Sequence, residues 1–172
     1  MLSVSRSFSL LLLLLLCLLQ QNSARIFERC ELAALLQQRY GLPAAQVATL
    51  VCIAQHASDL NTAAFGGGSG PGGGSHGIFQ ISDVYWCSPP GQGGGCGLSC
   101  ARLRDDDIAD DVLCVRKIYA EHQRISGDGF NAWQAYSAYC RQDAASYVAG
   151  CGNSNALQVA ASYQQPQQQQ PL

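Results

Sequence analysis

Positive charge is scarce in this chain. Its 172 residues carry ten Lys+Arg against twelve Asp+Glu, a formal net charge of −2. Net charge therefore draws it neither to nucleic acid nor to anionic bacterial envelopes, which counts against a cationic antimicrobial role. No Asn-x-Ser/Thr occurs, so there is no acceptor for N-glycosylation. One leucine run near the start is too short to span a bilayer, and no other segment is apolar enough to cross a membrane. Between Ala63 and Gly77 the chain lacks any carboxylate and has few side chains at all: Ala-Ala-Phe-Gly-Gly-Gly-Ser-Gly-Pro-Gly-Gly-Gly-Ser-His-Gly. No Lys-Ser/Thr pair or helix start follows, which excludes a phosphate-binding loop. Glycine runs have high entropy in the unfolded chain and offer nothing to pair across strands. A mobile loop is expected there, with strand character returning only at Gly77–Ser82.

What is present begins with a leader. Met1 to Ala24 holds Arg6, an unbroken Leu10–Leu16 run and a polar stretch closing on Asn22-Ser23-Ala24. This reads as a secretory signal peptide over residues 1–24, cleaved before Arg25, and implies an extracellular protein. Loss of Arg6 with the leader takes the formal charge to −3. Cys17 leaves too, so eight of the nine cysteines remain. An even number in a secreted chain reads as four disulfides, and counting alone leaves 105 connectivities open. Residues 25–151 are long enough for one domain with a modest core. Beyond Cys151 the composition turns to Gln and Pro (Tyr163-Gln164-Gln165-Pro166-Gln167), with no face to bury. Residues 152–172 are therefore expected as a disordered tail.

Helical spacing recurs along the domain. Leu32, Leu35 and Leu36 make one stripe, stopped after Tyr40 by Gly41 and Pro43. Val47, Leu50, Val51 and Ala54 make a second after Pro43, with Cys52 on the same helix. Ile108, Val112, Val115 and Tyr119 make a third, which starts inside an acidic run: five of the seven residues from Asp105 to Asp111 are aspartates. Acids in a first turn suit the helix macrodipole. Five in so short a span repel one another unless a cation neutralises them, and hard oxygen donors favour calcium.

The order of the cysteines, Cys30-Glu31-Leu32-Ala33, Gly77-Ile78-Phe79-Gln80-Ile81, Tyr85-Trp86-Cys87 and Asn131-Ala132-Trp133 together resemble the c-type lysozyme/α-lactalbumin family. The resemblance covers Arg25 to Cys151. It implies an α+β fold, a helical lobe facing a small antiparallel sheet with a saccharide cleft between them. It also implies the bridges Cys30–Cys151, Cys52–Cys140, Cys87–Cys100 and Cys96–Cys114, and a monomer. The acidic run is similar to the calcium loop of α-lactalbumin and the calcium-binding lysozymes, with Cys114 three residues past Asp111 as in that family. Carried over, calcium takes the carbonyls of Arg102 and Asp107 and the carboxylates of Asp105, Asp110 and Asp111, while Asp106 points into solvent.

The same resemblance makes two absences informative. The family's general acid stands near the end of the second helix in a Glu-Ser-x-x-Asn-Thr context. Here that run is Ala57-Ser58-Asp59-Leu60-Asn61-Thr62, so the acid's position is Ala57. The second carboxylate lies two residues before the Gly-Ile/Leu-x-Gln-Ile motif, and here that residue is Ser75. Asp59, two residues past Ala57, lies about 200° round a helix and faces away. Asp83 would act alone, and His56 and His76 read as surface or packed histidines. Gln80, Tyr85, Trp86, Asn131 and Trp133 stand at positions of the family's cleft wall, whereas Ser82 replaces a usual asparagine.

Three functions stay open at this point. One is a non-catalytic protein that binds a glycan of peptidoglycan or chitin type, or a protein partner. The second is an active lysozyme cutting the β-1,4 bonds of peptidoglycan. The third is an α-lactalbumin-like regulator of a glycosyltransferase.

Overall fold

The computed structural model describes residues 24–67, 73–88 and 93–152; the signal-peptide call and all but the first residue of the tail call lie outside them. Helix α1, Arg29–Ala34, continues as one π-helical turn, Leu35–Arg39, and ends at Tyr40. Helix α2, Ala44–Ser58, starts directly after Pro43, whose missing N–H costs nothing at a helix start. Every residue from Val47 to Ala54 is buried, so the expected four-residue stripe is the centre of a helix enclosed on all sides. Helix α3, Ala109–Ser126, begins inside the acidic run and buries Val112, Val115 and Ile118. Leu32, Leu36, Leu50, Ile53, Phe79, Leu103 and Ile108 complete one core. A second π-turn, Tyr136–Cys140, and short helical turns to Val148 close the helical lobe against α2.

All four disulfides take the pairing that the resemblance implies. Cys30–Cys151 joins the two ends of the domain, and Cys52–Cys140 ties the buried α2 to the second π-turn. Native bridges in small domains are worth about 2–5 kcal/mol each.

The described flanks of the glycine-rich stretch depart from the expected loop, whose residues 68–72 lie outside the described residues. Strands β1, Phe65–Gly67, β2, Gly74–His76, and β3, Ile81–Ser82, form one antiparallel sheet in that order. Phe65 pairs with His76, Gly66 with Ser75 and Gly67 with Gly74. Gly77 to Gln80, expected as strand, is a turn. Backbone ladders need no side chains, and neighbours supply the missing bulk. A Cβ on Gly74 would lie 2.6 Å from the Phe65 ring, and one on Gly66 would lie 2.6 Å from both Ser75 Oγ and Gln80 Oε1. The glycines thus make room for one aromatic ring and two polar groups lying on the sheet.

Gly77 has the tightest requirement. Its φ is +75°, and a Cβ there would sit 1.8 Å from the Leu103 carbonyl oxygen and 2.8 Å from Asp111 Oδ1. Gly77→Ala is expected to cost about 3 kcal/mol or more, combining left-handed backbone strain with overpacking against main chain. Urea unfolding would measure it, and a loss under 1 kcal/mol would contradict this close approach.

Candidate functional site

A cleft of about 510 Å³ opens between the end of α2, the sheet and the segment after Trp133. His56 and Ala57 come from the last turn of α2, Ser75 from β2 and Gln80 from the turn before β3. Ser58 joins these walls, because its hydroxyl lies 2.9 Å from Ala54 O and 2.7 Å from Ile78 O and shares its one proton between them. Gln80 holds a positive φ of 48°, which turns its amide back over the sheet. That amide donates to Gly77 O at 2.9 Å and Ala64 O at 3.2 Å, and its oxygen accepts from Ser75 Oγ at 2.8 Å.

Trp133 forms the base. It is 5% exposed, and its Nε1 donates to Phe79 O at 2.9 Å. Tyr139 forms the rim at 58% exposure, stacked on His56 with centroids 4.1 Å apart and 12° between planes. His56 Nε2 also meets the Tyr147 hydroxyl at 2.6 Å. Ala132, Gln134, Ala135 and Ala138 line the remainder. None of these lining residues is a carboxylate.

The two acids that the sequence offers as substitutes, Asp59 and Asp83, are placed elsewhere. Asp59 is the left-handed cap of α2, exposed at φ 51° and outside the cleft lining. Asp83 spans β2: Oδ1 accepts from Gly74 N at 2.8 Å and Oδ2 contacts His76 Nε2 at 3.1 Å. Partial burial would raise the Asp83 carboxyl, but the hydrogen bonds from His76 and Gly74 outweigh it and hold it below the usual range. His76 is buried, with no partner at Nδ1. Its ring nitrogen and the sulfurs of Cys87 and Cys100 lie within 4.8 Å of one another, but both sulfurs are committed to their bridge.

The other expected wall residues are dispersed. Trp86 borders a separate depression with Lys117, Ala120, Glu121 and Arg124, and its ring covers Gly95. Tyr85 is 69% exposed and lines neither space. Asn131 is turned from the cleft, since its amide donates to Ser126 Oγ at 3.2 Å and accepts from Arg141 at 2.8 Å.

The acidic loop lies behind the sheet, across Gly77. Asp111 is 1% exposed, and its Oδ2 has no hydrogen-bond partner. Burial, then the charges of Asp110 and Asp105, push its carboxyl well above the usual range. Burial likewise raises the Asp105 carboxyl, whose Oδ1 accepts from Asp107 N at 2.9 Å. Arg102 Nε donates to Asp110 Oδ2 at 2.6 Å from a largely exposed side chain. Asp107 Oδ1 accepts from Ala109 N at 3.1 Å. Asp106 is exposed, as expected, and one of its oxygens also accepts from the buried Thr62 hydroxyl at 2.9 Å, where the loop folds back onto the segment after α2.

The sequence matches the profile of the C-type lysozyme/alpha-lactalbumin family over residues 25–151. The chain belongs to that family. It is 38% identical over 135 residues to Lysozyme C of Callithrix jacchus, an alignment covering 74% of this chain and 87% of that protein. Lysozyme C-2 of Mus musculus is 35% identical over 150 residues, 84% and 98% of the two chains. The crystal structure of a lysozyme from Litopenaeus vannamei superposes with a TM-score of 0.69 at 34% identity, covering 76% of this chain and 99% of that one.

On this lysozyme-family scaffold Ala57 and Ser75 both border the cleft. Sequence reasoning missed Asp83 as a partner of His76 and the stacking of His56 with Tyr139. The first pair has a weak signal, a histidine and an aspartate seven residues apart across a tight turn. The second joins residues over eighty positions apart and has none.

Proposed function

We propose that this chain is a secreted lysozyme-family protein that binds a glycan in its cleft without hydrolysing it, stabilised by calcium on the acidic loop. What carries the reading is the cleft lining itself. Ala57 and Ser75 stand at the two catalytic positions, and no other lining residue offers a carboxyl group. Lysozyme is the type case of a reaction that needs two carboxyls, one to protonate the leaving oxygen and one to attack or stabilise the sugar cation. The surroundings still suit a sugar: an aromatic base and rim, a serine hydroxyl and amides, in a concave space of ordinary ligand size.

The calcium part rests on donor chemistry. Asp105, Asp110 and Asp111 offer carboxylates, Arg102 and Asp107 offer main-chain carbonyls, and one oxygen of the buried Asp111 is otherwise unmatched. An all-oxygen donor set of net negative charge suits a hard divalent cation. The ion would neutralise a cluster that opposes its own burial.

Titration with chitooligosaccharide while following tryptophan fluorescence tests the glycan reading. Trp133 at the base reports occupancy of the cleft, and saturable quenching or a spectral shift is expected at micromolar to millimolar sugar. No saturable change would overturn glycan binding and move the reading to a protein partner.

A further inference from the structure

The sheet side of the cleft presents a mechanical difficulty. Ser75 and Gln80 form that wall, yet β2 pairs with a strand made of one phenylalanine and two glycines. Its inner neighbour β3 has only two residues. Such a strand receives little packing of its own and needs a fastening that does not depend on its side chains.

We infer that Asp83 is the positioning residue of the glycan cleft, clamping both ends of β2 so that Ser75 is held toward the ligand. The inference rests on the glycan reading above. Strand β2 is three residues long, and the two that flank Ser75 are the two that Asp83 holds. Oδ1 takes the Gly74 amide at 2.8 Å, and Oδ2 takes His76 Nε2 at 3.1 Å. The main chain closes the same clasp in reverse, with Asp83 N donating to Gly74 O at 3.0 Å. Successive side chains on a strand alternate in direction, so Ser75 is directed opposite to His76.

The clamp is enclosed. The side chains of His76 and Asp83 are 4% and 14% exposed, and the Phe65 ring lies 5.1 Å from the imidazole. Arg104 in turn covers Phe65 at 5.5 Å. Glycine is also required beneath it, since a Cβ on Gly73 would fall 2.1 Å from Asp83 Oδ1. Asp83 itself does not line the cleft. It acts through Ser75, and through the Ser75–Gln80 hydrogen bond that sets the orientation of the amide.

Two readouts on the full mature chain test this: hydrogen exchange at the Gly74 amide and affinity for chitooligosaccharide by tryptophan fluorescence. Asp83→Ala is expected to speed Gly74 exchange about tenfold and weaken sugar binding about tenfold, as for loss of a hydrogen bond to a charged group. Exchange at Val51 in the core of α2, which reports global opening, should speed up less than exchange at Gly74. Unchanged Gly74 exchange, or faster exchange with wild-type affinity, would overturn the inference. Where Asp83→Ala does not fold, Asp83→Asn carries the test, because it keeps the size and one acceptor. It is expected to retain Gly74 protection, shift the His76 imidazole resonances and weaken binding about threefold. Wild-type affinity with unshifted His76 signals would overturn the proposal. Failure of the wild-type protein to bind sugar would overturn the glycan reading and this inference with it, whereas binding untouched by either variant would overturn this inference alone.

Discussion

Purified protein incubated with bacterial peptidoglycan is expected to release no reducing sugar above the rate of a protein-free control. In this fold the two carboxyls of a retaining enzyme lie about 5 Å apart, one neutral and one ionised. Ala57 and Ser75, which the resemblance places at those two positions, bring only a methyl group and a hydroxyl to the cleft. General acid assistance alone contributes about 10²–10⁴-fold. Binding energy cannot substitute for it, since a cleft that holds substrate and transition state equally well does not accelerate the chemical step. Recruitment of a nearby acid is blocked by geometry. Asp59 is turned out as a left-handed helix cap, and both oxygens of Asp83 are engaged by Gly74 and His76. Clearing of a cell-wall suspension by the wild-type protein, absent in a Trp133→Ala control, would overturn this expectation.

The second large effect concerns the acidic loop. Calcium is expected to raise Tm, and a chelator to lower it. At a hundredfold excess over Kd a ligand adds about 2.7 kcal/mol to the native state, of order 10 °C for a domain of this size. The direction follows from Asp111, whose burial disfavours its charged form while Asp110 and Asp105 add repulsion. Folding without a cation must meet that cost. Asp111→Asn removes it together with a ligand. The variant should therefore melt above the chelated wild type at neutral pH and show no response to calcium. Differential scanning calorimetry with and without chelator decides the matter. Superimposable wild-type curves would leave the aspartates as ordinary helix-start acids.

The helices were legible because their signals are local, whereas the pairing of the bridges came from the family resemblance alone, counting having left 105 connectivities open. The Val47–Ala54 stripe, the stop at Gly41 and Pro43, and the helix start within Asp105–Asp111 each rest on short-range periodicity and capping. The sheet was less legible. Glycine erases the alternation by which strands are recognised, and the bulk over Gly67 and Gly74 is a single ring, Phe65, whose placement depends on the pairing itself. The candidate wall was partly legible: Gln80 and Trp133 share the cleft with Ala57 and Ser75. Asn131 was not, because Arg141 ten residues later draws its amide away. The bond from Thr62 to the exposed Asp106 had no signal either, since the two lie 44 positions apart. Motif position identifies a residue's neighbourhood in the chain, but not which of several polar groups captures its side chain.

The four bridges fall into two kinetic classes. Cys87–Cys100 and Cys96–Cys114 close over 13 and 18 residues, whereas Cys52–Cys140 and Cys30–Cys151 close over 88 and 121. Loop-closure entropy grows with the logarithm of length, so the longest costs about 2 kcal/mol more to form in an unstructured chain than the shortest. During oxidative maturation the two short bridges can therefore close from nearly local encounters. The long pair awaits docking of α1 and α2 against the segments that carry Cys151 and Cys140. Both short bridges belong to the stretch that runs from the sheet into α3 and includes the acidic loop. This part of the molecule can be cross-linked before the helical lobe has condensed.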